Sequence, residues 1–150
     1  MEMHLEKLSL AKNLRFGAAK MTNETLEKRI YLICPVRNIS EDEGEFIFRY
    51  VKKLESEGCK VHYPPRDVNQ NDKTGVNIVK AHKDAMKWST EVHAYLNPKS
   101  EGSVFDLGMA WALDKPLTLI NKMQIEHWLS EHPGKSFARV LYELDKFYHS

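Results

Sequence analysis

The chain has 150 residues, 42% of them hydrophobic and 10% aromatic, which suffices for one domain with a substantial core and excludes a disordered or fibrous chain. Its 22 basic and 21 acidic residues are interspersed and leave a formal net charge of +1, too weak a field for a protein that tracks a nucleic-acid polymer. No apolar run approaches the ~18 residues of a membrane span, and Cys34 and Cys59 lack CxxC spacing, so the expectation is a cytoplasmic protein with reduced thiols and small-molecule partners.

Residues 1–28 are more polar than the remainder of the chain and carry only a partial helical stripe (Leu5, Leu8, Leu10, Leu14, Phe16). They read as an N-terminal extension, either an arm or a leader ahead of a second start at Met21, before a domain over 29–150. The run IYLICP at 30–35 is short, apolar and rich in strand formers, as in a strand buried on both faces. Arg37 and Asn38 follow at its carboxyl end. A helix is predicted over 41–57, with Ser40 and Glu43 spaced as a capping box and Ile47, Tyr50, Val51 and Leu54 on one face.

A second strand is predicted over 59–63, and PPRDVNQNDKTG at 64–75 reads wholly as loop, with Arg66 and Asp67 near its start. The next helix, 76–88, gathers Ile78, Ala81, Ala85 and Trp88 on one face and carries Asp84 near its end. A third strand follows at 92–96. The stretch NPKSEGSVFDLGMAWALDKPLTLIN at 97–121 then reads as a Ser/Gly turn, a helix over 104–113 with Asp106 in its first turn, and a fourth strand over 117–120. A short helix over 123–129 and a last one over 136–148, apolar through Val140, Leu141, Leu144 and Phe147, complete the chain.

Strands alternating with helices argue for a parallel sheet with helices on both faces, an α/β three-layer fold of the flavodoxin or Rossmann-like kind with four to five strands. In such a sheet the loops leaving the strands' carboxyl ends share one rim, where ligands are held. Familiar sites are missing from the sequence: it has no GxGxxG, no P-loop and no GxSxG. His127 and His132 lie five apart beside Pro133, and His82 and His93 stand singly, so no metal and no cofactor are expected. What remains is polar groups at strand ends: Arg37 and Asn38, Arg66 and Asp67, and Ser100, Gly102, Ser103 and Asp106, with Asp84 on a helix between them.

YLICPVRN at 31–38, the acid-bearing helix around Asp84 and above all SEGSVFDLGMAWALDKP at 100–116 resemble the nucleoside 2-deoxyribosyltransferase family, which includes 2'-deoxynucleoside 5'-phosphate N-hydrolases. The closing LYELDKFY is similar to the last helix of the hydrolase branch. The resemblance implies an enzyme that cleaves or exchanges the N-glycosidic bond of a nucleoside or nucleotide. It matches Asp106 to a glutamate that attacks C1' of the sugar, with Gly102 opening the turn. Asp84, with His82 two residues before it as the alternative, is matched to an aspartate that orients the sugar or handles the base's proton, and Arg37 and Asn38 to a loop that binds sugar or phosphate. It further implies a homo-oligomer.

The chemistry is consistent with those positions, because base departure leaves positive charge on the sugar that a fixed carboxylate stabilises, as nucleophile or by charge alone. Asp106 nevertheless departs from the pattern. It is one methylene shorter than glutamate, withdrawing the carboxylate by ~1 Å, a misplacement that can cost ~100-fold in rate. The acidic run Glu41, Asp42, Glu43 after Arg37 disfavours a phosphate there and leans toward a nucleoside. A second reading is a non-catalytic nucleoside or nucleotide sensor on the same fold. In the plainest reading of the residues, Ser103 and Asp106 are an S-x-x-D helix cap, Asp84 is a surface acid among Lys80, Lys83 and Lys87, and Arg66 and Asp67 are a turn and its salt bridge.

Overall fold

The computed structural model describes residues 26–150. The predicted extension over 1–28 therefore lies almost wholly outside the described residues. Four strands, β1 (Arg29–Ile33), β2 (Lys60–His62), β3 (Glu91–Ala94) and β4 (Leu117–Leu119), form one parallel sheet in the order β2-β1-β3-β4. Six helices accompany them among the described residues: α1 (Glu41–Ser56), α2 (Pro64–Asp67), α3 (Val76–Trp88), α4 (Glu101–Ala112), α5 (Lys122–Glu131) and α6 (Phe137–His149).

The order explains the layers. The chain leaves β1 toward β2, then reverses and crosses β1 to reach β3 and β4. Because parallel crossovers are right-handed, α1 falls on one face and α3 and α4 on the other. Alternation along the strands feeds both cores: Ile30, Leu32 and Cys34 pack with Ile47, Val51 and Leu54 of α1, whereas Tyr31 and Ile33 pack with Met86, Leu107 and Ala110. The reversal between β1 and β3 is the crevice where open α/β sheets place their ligands.

Several elements differ from the sequence expectation. The loop at 64–75 opens with the single helical turn α2, which Pro64 and Pro65 permit because a first turn needs no N–H from its leading residues. Asp72 then caps α3, its carboxylate accepting from the Asn77 and Ile78 N–H groups at 2.8 and 3.2 Å. Ser40 caps α1 as expected, accepting from the Glu43 N–H at 3.1 Å.

The last helix is turned from its predicted phase. Val140 and Phe147 are exposed, and the buried side carries Ala138, Leu141 and Asp145. The cause lies at the sheet edge. There is no fifth strand among the described residues, so the edge of β4 needs another acceptor, and Asp145 supplies it to the Leu119 N–H at 2.8 Å. Asp145 is 3% exposed and is balanced by Lys122 Nζ at 3.2 Å. Asp145→Ala is expected to lower the unfolding free energy by about 1–3 kcal/mol in urea titrations, since it leaves a buried N–H without an acceptor. A loss near zero would show that water reaches this edge.

Candidate functional site

The site begins where β3 hands over to α4. Asn121 clamps the end of β3 through both backbone groups of Leu96, accepting from its N–H at 2.9 Å and donating to its carbonyl at 2.8 Å. The Asn97 side chain accepts from the Lys99 N–H at 3.0 Å and turns the chain, and Ser100 becomes the N-cap of α4, accepting from the Ser103 N–H at 3.3 Å. The Ser103 hydroxyl donates to Ser100 Oγ at 3.0 Å.

The helix thus starts three residues earlier than predicted. Asp106 sits in its second turn, too far along to cap it, and beyond the first turn to which the field of a helix end is largely confined. The S-x-x-D capping reading is excluded by this geometry. Gly102 is the second residue of the helix, where an added Cβ would meet nothing within 4 Å, so neither a turn nor a close approach requires glycine there.

Asp106 points inward and is 7% exposed. Its Oδ2 accepts from the Tyr31 hydroxyl of β1 at 3.1 Å, and His82 Nδ1 of α3 lies 3.3 Å from Oδ1 and 3.2 Å from Oδ2. A carboxylate can only accept, so neutral His82 carries its proton on Nδ1 and its lone pair on Nε2. That Nε2 is buried without a hydrogen-bond partner.

Tyr31 is also stacked on His62 of β2, ring centroids 5.3 Å apart and planes 16° from parallel, and meets the His82 ring edge-on at 5.9 Å. His62 Nε2 is likewise buried and unpartnered. Burial, then the Asp106 carboxylate, push the Tyr31 phenol far above its ordinary range, so it remains a proton donor to the acid. Burial, then Asp106, push the Cys34 thiol up to about 12, so it is no nucleophile at neutral pH.

The other predicted residues are distributed differently. Asp84 is exposed and its side chain makes no hydrogen bond or ion pair among the described residues, because two residues along a helix turn it about 200° from His82. Arg37 and Asn38 are exposed on the loop after β1, Asn38 with φ 54°. Arg66 and Asp67 are tied to each other and to the scaffold. Arg66 donates to Asp67 at 2.9 and 3.1 Å, to Glu55 at 2.7 Å and to the Val61 carbonyl at 3.0 Å, and Asp67 accepts from the Tyr63 N–H at 2.8 Å.

Tyr31 and His62, which the structure places around Asp106, were not among the sequence candidates, and His82 was there only as the alternative to Asp84. The available signal for His82 was a polar residue between Ile78 and Met86 at steps of four on the core-facing side of a helix. Phe105 and Trp111 of α4 are more than half exposed.

A cavity of about 270 Å³ lies beside the carboxyl ends of β3 and β4, lined by Tyr95, Asn97, Lys99, Gln124 and Trp128 among others, and an open groove runs past Arg66 and Trp88. Asp106 lines neither. Among the described residues no group of three or more His, Cys, Asp or Glu could hold a metal ion, and no helix is long and apolar enough to cross a membrane.

Burial holds the His62 imidazole below its ordinary value, with Asp67 opposing and His82 and Arg66 reinforcing. A histidine depressed in the fold binds its proton more readily once unfolded, so its effect on stability is absent above the unfolded value of about 6.5 and destabilising below it. Unfolding in urea is expected to become easier as pH falls from 7.5 to about 5.5, and His62→Asn is expected to flatten that slope; an unchanged slope would place its origin in other groups.

No protein-family model matches this sequence, and no curated protein matches it. Solved structures do. The fold is similar to that of a 2-deoxyribosyltransferase from Bacillus psychrosaccharolyticus, which aligns at 20% identity and a TM-score of 0.51 over 71% of this chain and 92% of that one. A CMP N-glycosidase from Clostridium botulinum aligns at 23% identity and a TM-score of 0.49, over 79% of this chain and 99% of that one. At these identities the likeness is one of fold.

Proposed function

We propose that the protein is an enzyme that cleaves or exchanges the N-glycosidic bond of a nucleoside or nucleotide, with Asp106 as the acid beside C1'. The observation that carries this reading is the Asp106 carboxylate itself. It is buried in the second turn of α4, on the side of the sheet switch point between β1 and β3, and held by one hydroxyl and one imidazole rather than by a lysine or arginine. A carboxylate without a fixed cation keeps its negative charge available to a sugar that becomes cationic as the base departs. The shared fold with a 2-deoxyribosyltransferase supports the same chemistry.

In this reading His82 takes the place beside the acid that the sequence had assigned to Asp84. Arg37 and Asn38, exposed on the rim after β1, and Ser100 at the mouth of α4 are the groups that would meet the sugar or a phosphate. Arg66 and Asp67 hold the β2 edge through the Val61 carbonyl and the Tyr63 N–H. The partner is a nucleoside or nucleotide, and the exposed Phe105 and Trp111 of α4 are the proposed contact of a homo-oligomer.

The test is release of free base from 2'-deoxyadenosine, 2'-deoxycytidine, cytidine and their 5'-monophosphates, followed by chromatography. Turnover of at least one is expected. A second reading, a binding protein without turnover, is favoured by the engagement of both Asp106 oxygens and by the small exposure of the acid. It would be marked by a rise in melting temperature with one of these compounds and no base released.

A further inference from the structure

We propose that the outer face of α6 is a self-association surface, on which the last helix of a second copy of this chain docks antiparallel about a two-fold axis. It rests on the homo-oligomer proposed for this protein, to which it adds a second contact besides that of α4, and it is independent of the chemistry at Asp106.

The sheet uses only part of the apolar arc of α6. Ala138, Leu141 and Asp145 are buried, whereas Phe137, Val140 and Phe147 are 66%, 48% and 69% exposed, with Leu144 half-buried between them. Those last four share one stripe, turned about 100° around the helix from the buried side. Arg139, Glu143 and Lys146 follow along its far border. A helix packed on a sheet needs one apolar face; α6 carries two, and the second is open to solvent among the described residues.

Three observations select a second copy as the occupant. The first is symmetry. The stripe advances by three, four and three residues, the spacing of a coiled-coil seam, and so reads alike in both directions. Antiparallel pairing centred at position 142 sets Phe137 against Phe147 of the second copy and Val140 against its Leu144, aromatic on aromatic and aliphatic on aliphatic. A two-fold contact requires this self-complementarity.

The second is charge. The ion pairs of Glu143 within the helix are loose, 4.0 Å to Arg139 and 3.9 Å to Lys146. The same two-fold brings Glu143 to within about 3 Å, along the axis, of Arg139 of the second copy. Acid thus meets base across the border of the contact.

The third is area. Phe137, Val140 and Phe147 expose on the order of 300 Å² of apolar side chain, against the ~450 Å² of apolar area that one partner brings to a standard interface. A contact of that size sustains a dimer that dissociates at micromolar concentrations. α4 runs beside α6, its Met109 and Leu113 sharing a core cluster with Leu144 and Tyr148, so both proposed contacts lie on one side of the sheet.

Sedimentation velocity of the full chain from about 1 to 300 µM is expected to show a concentration-dependent passage to twice the chain mass. Val140→Glu places a charge in the middle of the stripe without touching the buried side. It should raise the dissociation constant ~100-fold or more, while the melting temperature at the dilute end stays within a few degrees of wild type.

Disulfide cross-linking reads the pairing. A mixture of Phe137→Cys chains and 15N-labelled Phe147→Cys chains, both with Cys59→Ser, should give the mixed dimer by intact mass. Neither chain alone should cross-link, because antiparallel pairing holds equal positions about 15 Å apart along the axis.

A chain that stays monomeric at every concentration would overturn both this contact and the homo-oligomer. A dimer insensitive to Val140→Glu but lost in Phe105→Glu would overturn the α6 contact alone and leave that of α4. Cross-linking of each cysteine chain with itself as readily as in the mixture would mean parallel pairing and remove the two-fold. A monomer whose melting temperature falls sharply in Val140→Glu would mean that the chain's own residues, 1–25 among them, cover the stripe in place of a second copy. Base release by the same samples tests the N-glycosidic reading separately.

Discussion

Asp106→Asn is expected to lower kcat/KM for base release by at least ~1,000-fold while the protein still folds. The substitution keeps the shape of the side chain and an oxygen for the Tyr31 hydroxyl, so the core beneath α4 is not opened. What it removes is the negative charge, and the amide it introduces can donate to His82 Nδ1, which favours the opposite imidazole tautomer. The effect is therefore the same whether Asp106 bonds the sugar or stabilises it by charge alone, which makes this variant a test of the site rather than of the mechanism. Equal base release from Asp106→Asn and wild type, at matched melting temperatures, would remove Asp106 from the reaction altogether.

Leu32→Ala is expected to have the largest effect on stability, about 3 kcal/mol, or a fall of roughly 10 °C in melting temperature. Leu32 is fully buried on β1, which has a neighbour strand on each side, and it packs in the core that contains Ile47 and Val51 of α1. Nothing around it can collapse into the space without moving a paired strand. Phe105→Ala, at an exposed position, is the comparison and should cost little in an isolated chain. Similar losses for the two would mean that the exposed face of α4 is covered in solution.

The fold was legible because its signals are local. Runs such as IYLICP mark strands buried on both faces, the stripe of Ile47, Val51 and Leu54 marks α1, and alternation of the two kinds leaves few topologies. Asp106 stood out as a candidate for the same reason, as an acid in a turn-to-helix segment after a strand, though one turn further along the helix than expected. Its partners were not, because they come from far along the chain: Tyr31 is 75 residues away and His82 is 24. Choosing His82 over Asp84 requires the phase of α3 to within a residue, and Lys80, Lys83 and Lys87 on that helix blur its polar face.

The start of α4 was ambiguous for a chemical reason. Ser100 and Ser103 are both good N-caps, and only the clamp from Asn121 and the Asn97 turn select the earlier one. The phase of α6 was misread because an aspartate on its buried side looks like a surface residue until the unpaired edge of β4 is known to need it.

The Asp145 contact has a consequence for handling the molecule. A parallel sheet that ends on a three-residue strand offers that strand's backbone to any extended chain that comes near, and here one carboxylate on the final helix occupies the position a foreign strand would take. Cleavage before residue 137 is therefore expected to do more than weaken the domain: it should yield a species that associates edge to edge and scatters light on warming. A tag appended at Ser150 would have to leave the last two turns of α6 undisturbed.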